Sequence, residues 1–163
     1  MRLRGTVYLW DMKKQTVEYA LRTTWLAIQK MYNEEALKFG TTMSIGFALL
    51  SLDPEAGTPS TTLGPKMGIE STSISRILKS MEELELIYRG PNPDDGRGVL
   101  IFLTNFGREK RDYTRHQVLK FNNSVIDKIS SEKLDHFFDI IDQINQVVVQ
   151  TKSSKLTLPI SDL

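Results

Sequence analysis

Residues 71–86 constrain the fold of this chain more than any other stretch. At about 100° per residue, Ile74, Ile77, Leu78, Met81 and Leu84 share one face of a helix. Thr72, Ser75, Arg76, Lys79 and Ser80 fall on the other, with Glu83 further along. Such a helix buries one side and presents a row of hydroxyls and cations on the opposite side. It runs directly into Ile87-Tyr88-Arg89, and a second β-branched, aromatic run comes at Val99 to Leu103. Between them lie nine turn formers, Gly90-Pro91-Asn92-Pro93-Asp94-Asp95-Gly96-Arg97-Gly98. The pattern predicts a long-tipped β-hairpin behind an amphipathic helix.

The flanks are helical. From Asp11 to about Phe39, Val17, Leu21, Trp25, Ile28 and Tyr32 recur at helical spacing, and Gly40 is placed to end the helix. Met43, Phe47 and Leu50 predict a short second helix that stops at Asp53-Pro54, where the residue before proline leaves the helical region. Glu55 to Ser60 reads as a turn-rich connection, and Thr61 to Met67 as a brief third helix that must accommodate Pro65. Thr104 is a natural N-cap for a helix running to about Ile129. Ser130 or Ser131 can cap a last helix with a stripe of Leu134, Phe137, Phe138, Ile141, Ile144 and Val148. The polar tail from Thr151, with Pro159, reads as loosely held. No internal repeat is visible.

The expected fold is therefore mainly α: a winged helix-turn-helix with a β-hairpin wing, flanked by N- and C-terminal dimerisation helices. The whole chain, 1–163, reads as one domain, with the winged lobe over 42–104 and dimerisation helices over 11–39 and 105–150. The flanking helices carry more apolar surface than a chain of 163 residues can hide alone, and pairing with a second copy is the economical way to bury it.

Composition removes several function classes. The absence of cysteine excludes a disulfide framework and a thiolate nucleophile. Two histidines, His116 and His136, cannot alone build a histidine zinc site. Asn92, Asp94 and Asp95 near Gly96 imitate a calcium loop, but the ligand spacing fails and no glutamate closes it. Glu34 and Glu35 are adjacent and so do not share a helix face as paired catalytic carboxylates would. No nucleophile elbow, phosphate loop or dinucleotide fingerprint occurs. The expectation is a protein that is not an enzyme and has no metal or cofactor. No apolar run approaches a membrane span, and the short apolar start before Asp11 is no secretory signal. A cytoplasmic location is expected by default.

What remains is the hydroxyl and cation face. Hydroxyls at a helix N-terminus suit phosphate oxygens, because free N–H groups and the helix dipole already favour an anion there. Arg76 can read guanine through two hydrogen bonds, worth about 1–3 kcal/mol of discrimination. Net charge does not decide the matter. The 21 Lys and Arg face 20 Asp and Glu, for a net +1. Between Ser60 and Asp112, eight cations (Lys66, Arg76, Lys79, Arg89, Arg97, Arg108, Lys110, Arg111) meet eight acids (Glu70, Glu82, Glu83, Glu85, Asp94, Asp95, Glu109, Asp112). Specific DNA binding with a modest salt slope is the expectation.

The run Leu63-Gly64-Pro65-Lys66-Met67-Gly68-Ile69-Glu70-Ser71-Thr72-Ser73-Ile74-Ser75-Arg76, with Met81-Glu82 and Leu86-Ile87 after it, resembles the MarR family of bacterial transcriptional regulators. So do Arg89 to Arg97 and the closing Leu103-Thr104-Asn105-Phe106-Gly107. The resemblance covers about Gly40 to Arg115. It implies a homodimer on pseudo-palindromic double-stranded DNA, with recognition helices in successive major grooves roughly 34 Å apart. It further implies a response to a small molecule, here expected to be aromatic or apolar. By position it assigns DNA contact to Ser71, Thr72, Ser73, Ser75, Arg76, Lys79 and the wing residue Arg97, and wing support to Asp95 and Arg89. It suggests an effector pocket that Trp25, Tyr32, Phe47 and Tyr113 could line. Two residues depart from the family pattern. Gly96 stands where a wing cation is common, and Glu85 where a glycine often ends the recognition helix. A left-handed backbone at Glu85 would cost on the order of 1 kcal/mol.

The reading is a repressor of nearby genes. The competing reading is a winged helix that contacts a protein partner and no DNA, to which the neutral charge, Gly96 and the acidic Glu82, Glu83 and Glu85 lend support.

Overall fold

The computed structural model describes residues 16–93 and 95–153, without the side chains of 95–97, 152 and 153. Among the described residues, six helices and three strands run in the order α1 (Val17–Leu37), α2 (Met43–Ser51), β1 (Thr58–Pro59), α3 (Ser60–Met67), α4 (Ser71–Glu83), β2 (Ile87–Asn92), β3 (Asp95–Leu103), α5 (Asn105–Ile126) and α6 (Ser131–Ser153). The fold is mainly helical with a small antiparallel sheet, as the sequence implies. Two compact units divide the chain between Arg115 and His116, within α5.

Caps set the helix starts. Thr16 accepts from the Tyr19 N–H, Thr42 from Ile45, and Thr104 from Gly107 at 2.9 Å. The sequence predicts the first helix from Asp11; residues 11–15 lie outside the described residues, and Thr16 is the N-cap of α1. Gly40 adopts the left-handed φ of 65° just beyond α1. Leu52 is extended ahead of Asp53-Pro54, which ends α2. Helix α6 runs through Ser153, into the stretch whose composition predicts a loose tail; 154–163 lie outside the described residues.

The core sits in the winged segment. Ile45, Ala48 and Leu49 of α2 and its C-cap Leu52 meet Leu63 of α3, Ile74, Leu78 and Met81 of α4, Leu86 just before β2, and Ile87, Ile101 and Leu103 of the sheet. Fully burying a side chain of this size contributes about 1.5–3 kcal/mol, so this cluster fixes where α4 lies.

The sheet differs from expectation in two ways. The sequence predicts only a connection over residues 55–60, yet Thr58 and Pro59 pair with Ile101 and Leu100 as β1. It predicts a nine-residue hairpin tip, yet Gly90, Pro91 and Asn92 pair with Leu100, Val99 and Asp95, which takes most of that stretch into the sheet. The strand order is β1-β3-β2, so β2 is an edge. An edge strand tolerates Pro91, whose missing N–H can face solvent, and a bulge interrupts the pairing at Pro91/Asn92. Gly90 and Gly57 are small for a packing reason. A Cβ would stand 2.8 Å from the Phe102 ring at Gly90 and 2.6 Å from it at Gly57.

Candidate nucleic-acid interface

The turn between α3 and α4 is built from glycines. Gly68 takes φ 66°, and the Ile69 N–H returns to the Gly64 carbonyl at 3.1 Å. A Cβ at Gly64 would meet the Ile69 carbonyl oxygen at 3.1 Å, so a small residue lets the turn close. Pro65 lies inside α3, beyond its first turn, and Lys66 Nζ reaches the Ser51 carbonyl at the end of α2. Glu70 is the N-cap of α4 but makes no side-chain cap; its carbonyl accepts from Ser73 and Ile74. The N–H groups of Ser71 and Thr72 are the first-turn donors that a helix cannot satisfy internally.

With Ile74, Leu78 and Met81 buried, helical geometry sets the outward row as Thr72, Arg76, Lys79 and Glu83. Ser73 and Ser80 lie on one shoulder. Ser71, Ser75 and Glu82 lie on the other, where Ser71, Ser75 and Leu78 border an open groove of about 520 Å³. Ser60, Thr61 and Pro65 of α3 and Arg89 of β2 complete its walls. Ser71, Thr72, Ser73, Ser75, Arg76 and Lys79 are all exposed. The Ser75 hydroxyl donates to the Ser71 carbonyl at 3.0 Å, which leaves it as an acceptor toward any ligand.

Charge on this surface is partly spoken for. Arg89 Nε donates to Glu82 Oε1 at 2.8 Å, and Lys79 Nζ lies 3.9 Å from Glu83 Oε1. Arg76 makes no ion pair among the described residues. Asp95 and Arg97 belong to β3 by backbone, and their side chains lie outside the described residues. Neither the Glu82–Arg89 pair nor the groove is legible in the sequence. There Glu82 reads as part of an acidic cluster, and nothing in a seven-residue separation says that β2 turns back along α4.

The family model described as the MarR family matches residues 42–99, which span the helix-turn-helix and most of the wing. The winged segment is similar to the MarR family. That family consists of transcriptional regulators. The HTH-type transcriptional regulator YdgJ of Bacillus subtilis is 28% identical over 79 residues, 48% of this chain and 48% of that protein. The Staphylococcus aureus MepR–DNA complex shares the fold with a TM-score of 0.73 at 18% identity, covering 82% of this chain and 98% of that one. PcaV of Streptomyces coelicolor, solved with its natural ligand, gives a TM-score of 0.69 at 20% identity, covering 83% and 95%.

The residues assigned to an effector pocket fall in two places. Trp25 stacks on Phe47 at 6.2 Å between ring centroids, and Tyr32 meets the same ring edge-on at 6.5 Å. Tyr113 packs edge-on against Phe39 at 4.6 Å, and its hydroxyl donates to Glu35 Oε1 at 2.6 Å. The carboxylate that accepts this bond pushes the Tyr113 phenol above its ordinary value. Among the described residues no group of three or more His, Cys, Asp and Glu could hold a metal ion, and no helix is long and apolar enough to cross a membrane.

Proposed function

We propose that this chain is a MarR-family regulator that binds a pseudo-palindromic operator as a homodimer and represses transcription from it. The observation that carries the reading is the outward row of α4. A helix end with free N–H groups presents Thr72, Arg76 and Lys79, held rigidly by a buried opposite face. Arg76 is the base reader, and the hydroxyls of Ser71, Thr72, Ser73 and Ser75 take phosphate oxygens. Arg97 is assigned to the flanking minor groove and Asp95 to wing support, and Arg89, which the resemblance also gives to the wing, pairs with Glu82 of α4. Action on chromosomal DNA places the protein in the cytoplasm.

Dimerisation is supported by the apolar side chains that α6 exposes, among them Phe137, Phe138, Ile140, Val147 and Val149. Winged-helix dimers read two half-sites one helical turn apart. A small aromatic or apolar effector, seated against Trp25, Tyr32 and Phe47 with Tyr113 and Phe39 as a second aromatic pair, releases the operator. It does so only by binding the spread and the DNA-ready dimers with different affinity.

The test is selection of bound fragments from a random-sequence duplex pool, with a salt titration of the best one. An enriched pseudo-palindrome whose affinity falls with salt is expected. No enrichment and no binding at low salt would replace this reading with a winged helix that contacts protein.

A further inference from the structure

The recognition helix carries its own acids beside its cations. Glu82 Oε1 receives the Arg89 Nε hydrogen bond at 2.8 Å, and the two side chains are 34% and 41% exposed. A pair this close and partly shielded is less screened than an open surface pair. Glu83 repeats the arrangement more loosely with Lys79, at 3.9 Å and with both side chains exposed. Arg76 stands apart on the same helix, without an acid partner among the described residues.

Arg89 also lines the groove that Ser71 and Ser75 border, on the shoulder of α4 that flanks the outward row. A free guanidinium there would neutralise the backbone of any duplex seated on α4, whatever its sequence. A guanidinium that already holds a carboxylate releases fewer counterions from DNA, because its charge is compensated before the duplex arrives.

We propose that Glu82 is a specificity-determining residue: by holding Arg89 in an internal ion pair, it withholds sequence-independent phosphate affinity and leaves discrimination to Arg76. The inference rests on the DNA-binding reading above. It also gives a role to acids within a DNA-binding module, since Glu82 and Glu83 each stand beside a cation that would otherwise bind every duplex alike. A pair serving only to fasten β2 to α4 would behave differently, because breaking it would weaken binding to all duplexes together.

The experiment compares a duplex selected by the unaltered protein from a random pool with a scrambled duplex of the same length. Glu82→Gln keeps an acceptor oxygen for Arg89 and removes the charge. It is expected to bind the scrambled duplex several-fold tighter at low salt and to steepen the slope of log affinity against log salt by about one per subunit. The ratio of selected to scrambled affinity falls accordingly. Glu82→Gln/Arg89→Gln should return the slope to its original value, which separates release of Arg89 from simple loss of a repelling carboxylate. Arg89→Gln alone should leave the slope on scrambled duplex unchanged, a check that does not depend on how well Glu82→Gln folds. A drop of about one per subunit in that variant would mean Arg89 already reaches phosphate and would overturn the proposal. So would an unchanged slope and ratio in a Glu82→Gln protein that melts like the original. If no duplex is selected and none binds at low salt, the DNA-binding reading falls and this proposal with it. A selected duplex whose salt slope Glu82→Gln leaves unaltered overturns the proposal alone.

Discussion

Glu85 holds a φ of 56°, a left-handed conformation that its Cβ disfavours, one residue past the C-cap Leu84 of α4. The geometry is that of a Schellman ending. The Leu86 N–H returns to the Met81 carbonyl and the Glu85 N–H to the Glu82 carbonyl, each at 2.9 Å, while Leu86 and Met81 are both buried. The Glu85 carbonyl then accepts the Thr104 hydroxyl at 2.7 Å, which ties the end of α4 to the start of α5. The departure from glycine at this position is therefore a point of strain. Replacing Glu85 by Gly should raise stability by about 1 kcal/mol in urea unfolding, since glycine adopts this backbone without the side-chain penalty. Gly107 lies at the same junction under a harder constraint. A Cβ there would stand 1.9 Å from the Leu86 carbonyl oxygen, which cannot move away without disturbing the bond it accepts from the Thr104 N–H. Gly107→Ala should cost more than about 3 kcal/mol in the same assay, at or above the upper range for overpacking. On the DNA side, Arg76→Ala should weaken binding and flatten base preference at one position per half-site, by about 1–3 kcal/mol. Lys79→Ala should weaken all duplexes alike and by less, because Glu83 already partners that lysine.

At the scale of elements, the helices are legible in the sequence mainly from apolar spacing, helped by the Thr104 cap before α5 and by the stops at Gly40 after α1 and Asp53-Pro54 after α2. The sheet is only half legible. Val99 to Leu103 and Ile87 to Arg89 announce themselves as strands, but Gly90-Pro91-Asn92 has the composition of a loop whether it is looped or paired. Its pairing is decided by Phe102, whose ring occupies the space above Gly90 and Gly57, and by the edge position that lets Pro91 stand. Two-residue β1 has no local signal at all, since it exists only because β3 offers Thr58 and Pro59 a partner. The recognition row is legible from periodicity, whereas the Glu82–Arg89 contact needs the course of β2. The connection from α2 to β1 supports a pH prediction. Asp53 Oδ1 accepts the Ala56 and Glu55 N–H groups at 2.7 and 2.8 Å, and these bonds, with Arg111 and Lys66 nearby, hold its carboxyl below the ordinary value. A lowered folded value means stabilisation that is complete above the unfolded value, about 3.9, and is lost as pH falls through the folded one. Asp53→Asn should therefore melt below the original protein at pH 7, and the gap in melting temperature should close as the buffer is taken into the acid range. A gap that stays constant with pH would assign the effect to packing and not to the charge.

At the scale of the whole molecule, one ledger stays open. Among the described residues, the buried hydrophobic side chains all lie between Ile45 and Leu103, while α1 exposes Val17, Trp25 and Leu26 and α6 exposes Phe137, Phe138, Ile140, Val147, Val148 and Val149. Single apolar residues on a surface are ordinary, but a long helix that shows this many is built to be covered. A second copy is the cover proposed here, and it ties stability to concentration. For a dimer whose subunits fold together, the melting temperature rises with protein concentration by mass action. Phe138 is 59% exposed, and Phe138→Asp would bring a charge into the covered face, where an unpaired carboxylate is costly. The variant is expected to sediment as a monomer, to melt at one temperature across dilutions, and to lose most operator affinity while α4 itself remains folded. Its residual binding should track a half-site duplex with about half the salt slope of the dimer, since half as many phosphates are neutralised. Full operator affinity from a monomeric variant would break the link between the apolar helices and the two-fold operator. A melting temperature independent of concentration in the unaltered protein would do the same to the dimer, and would send the search for a cover elsewhere.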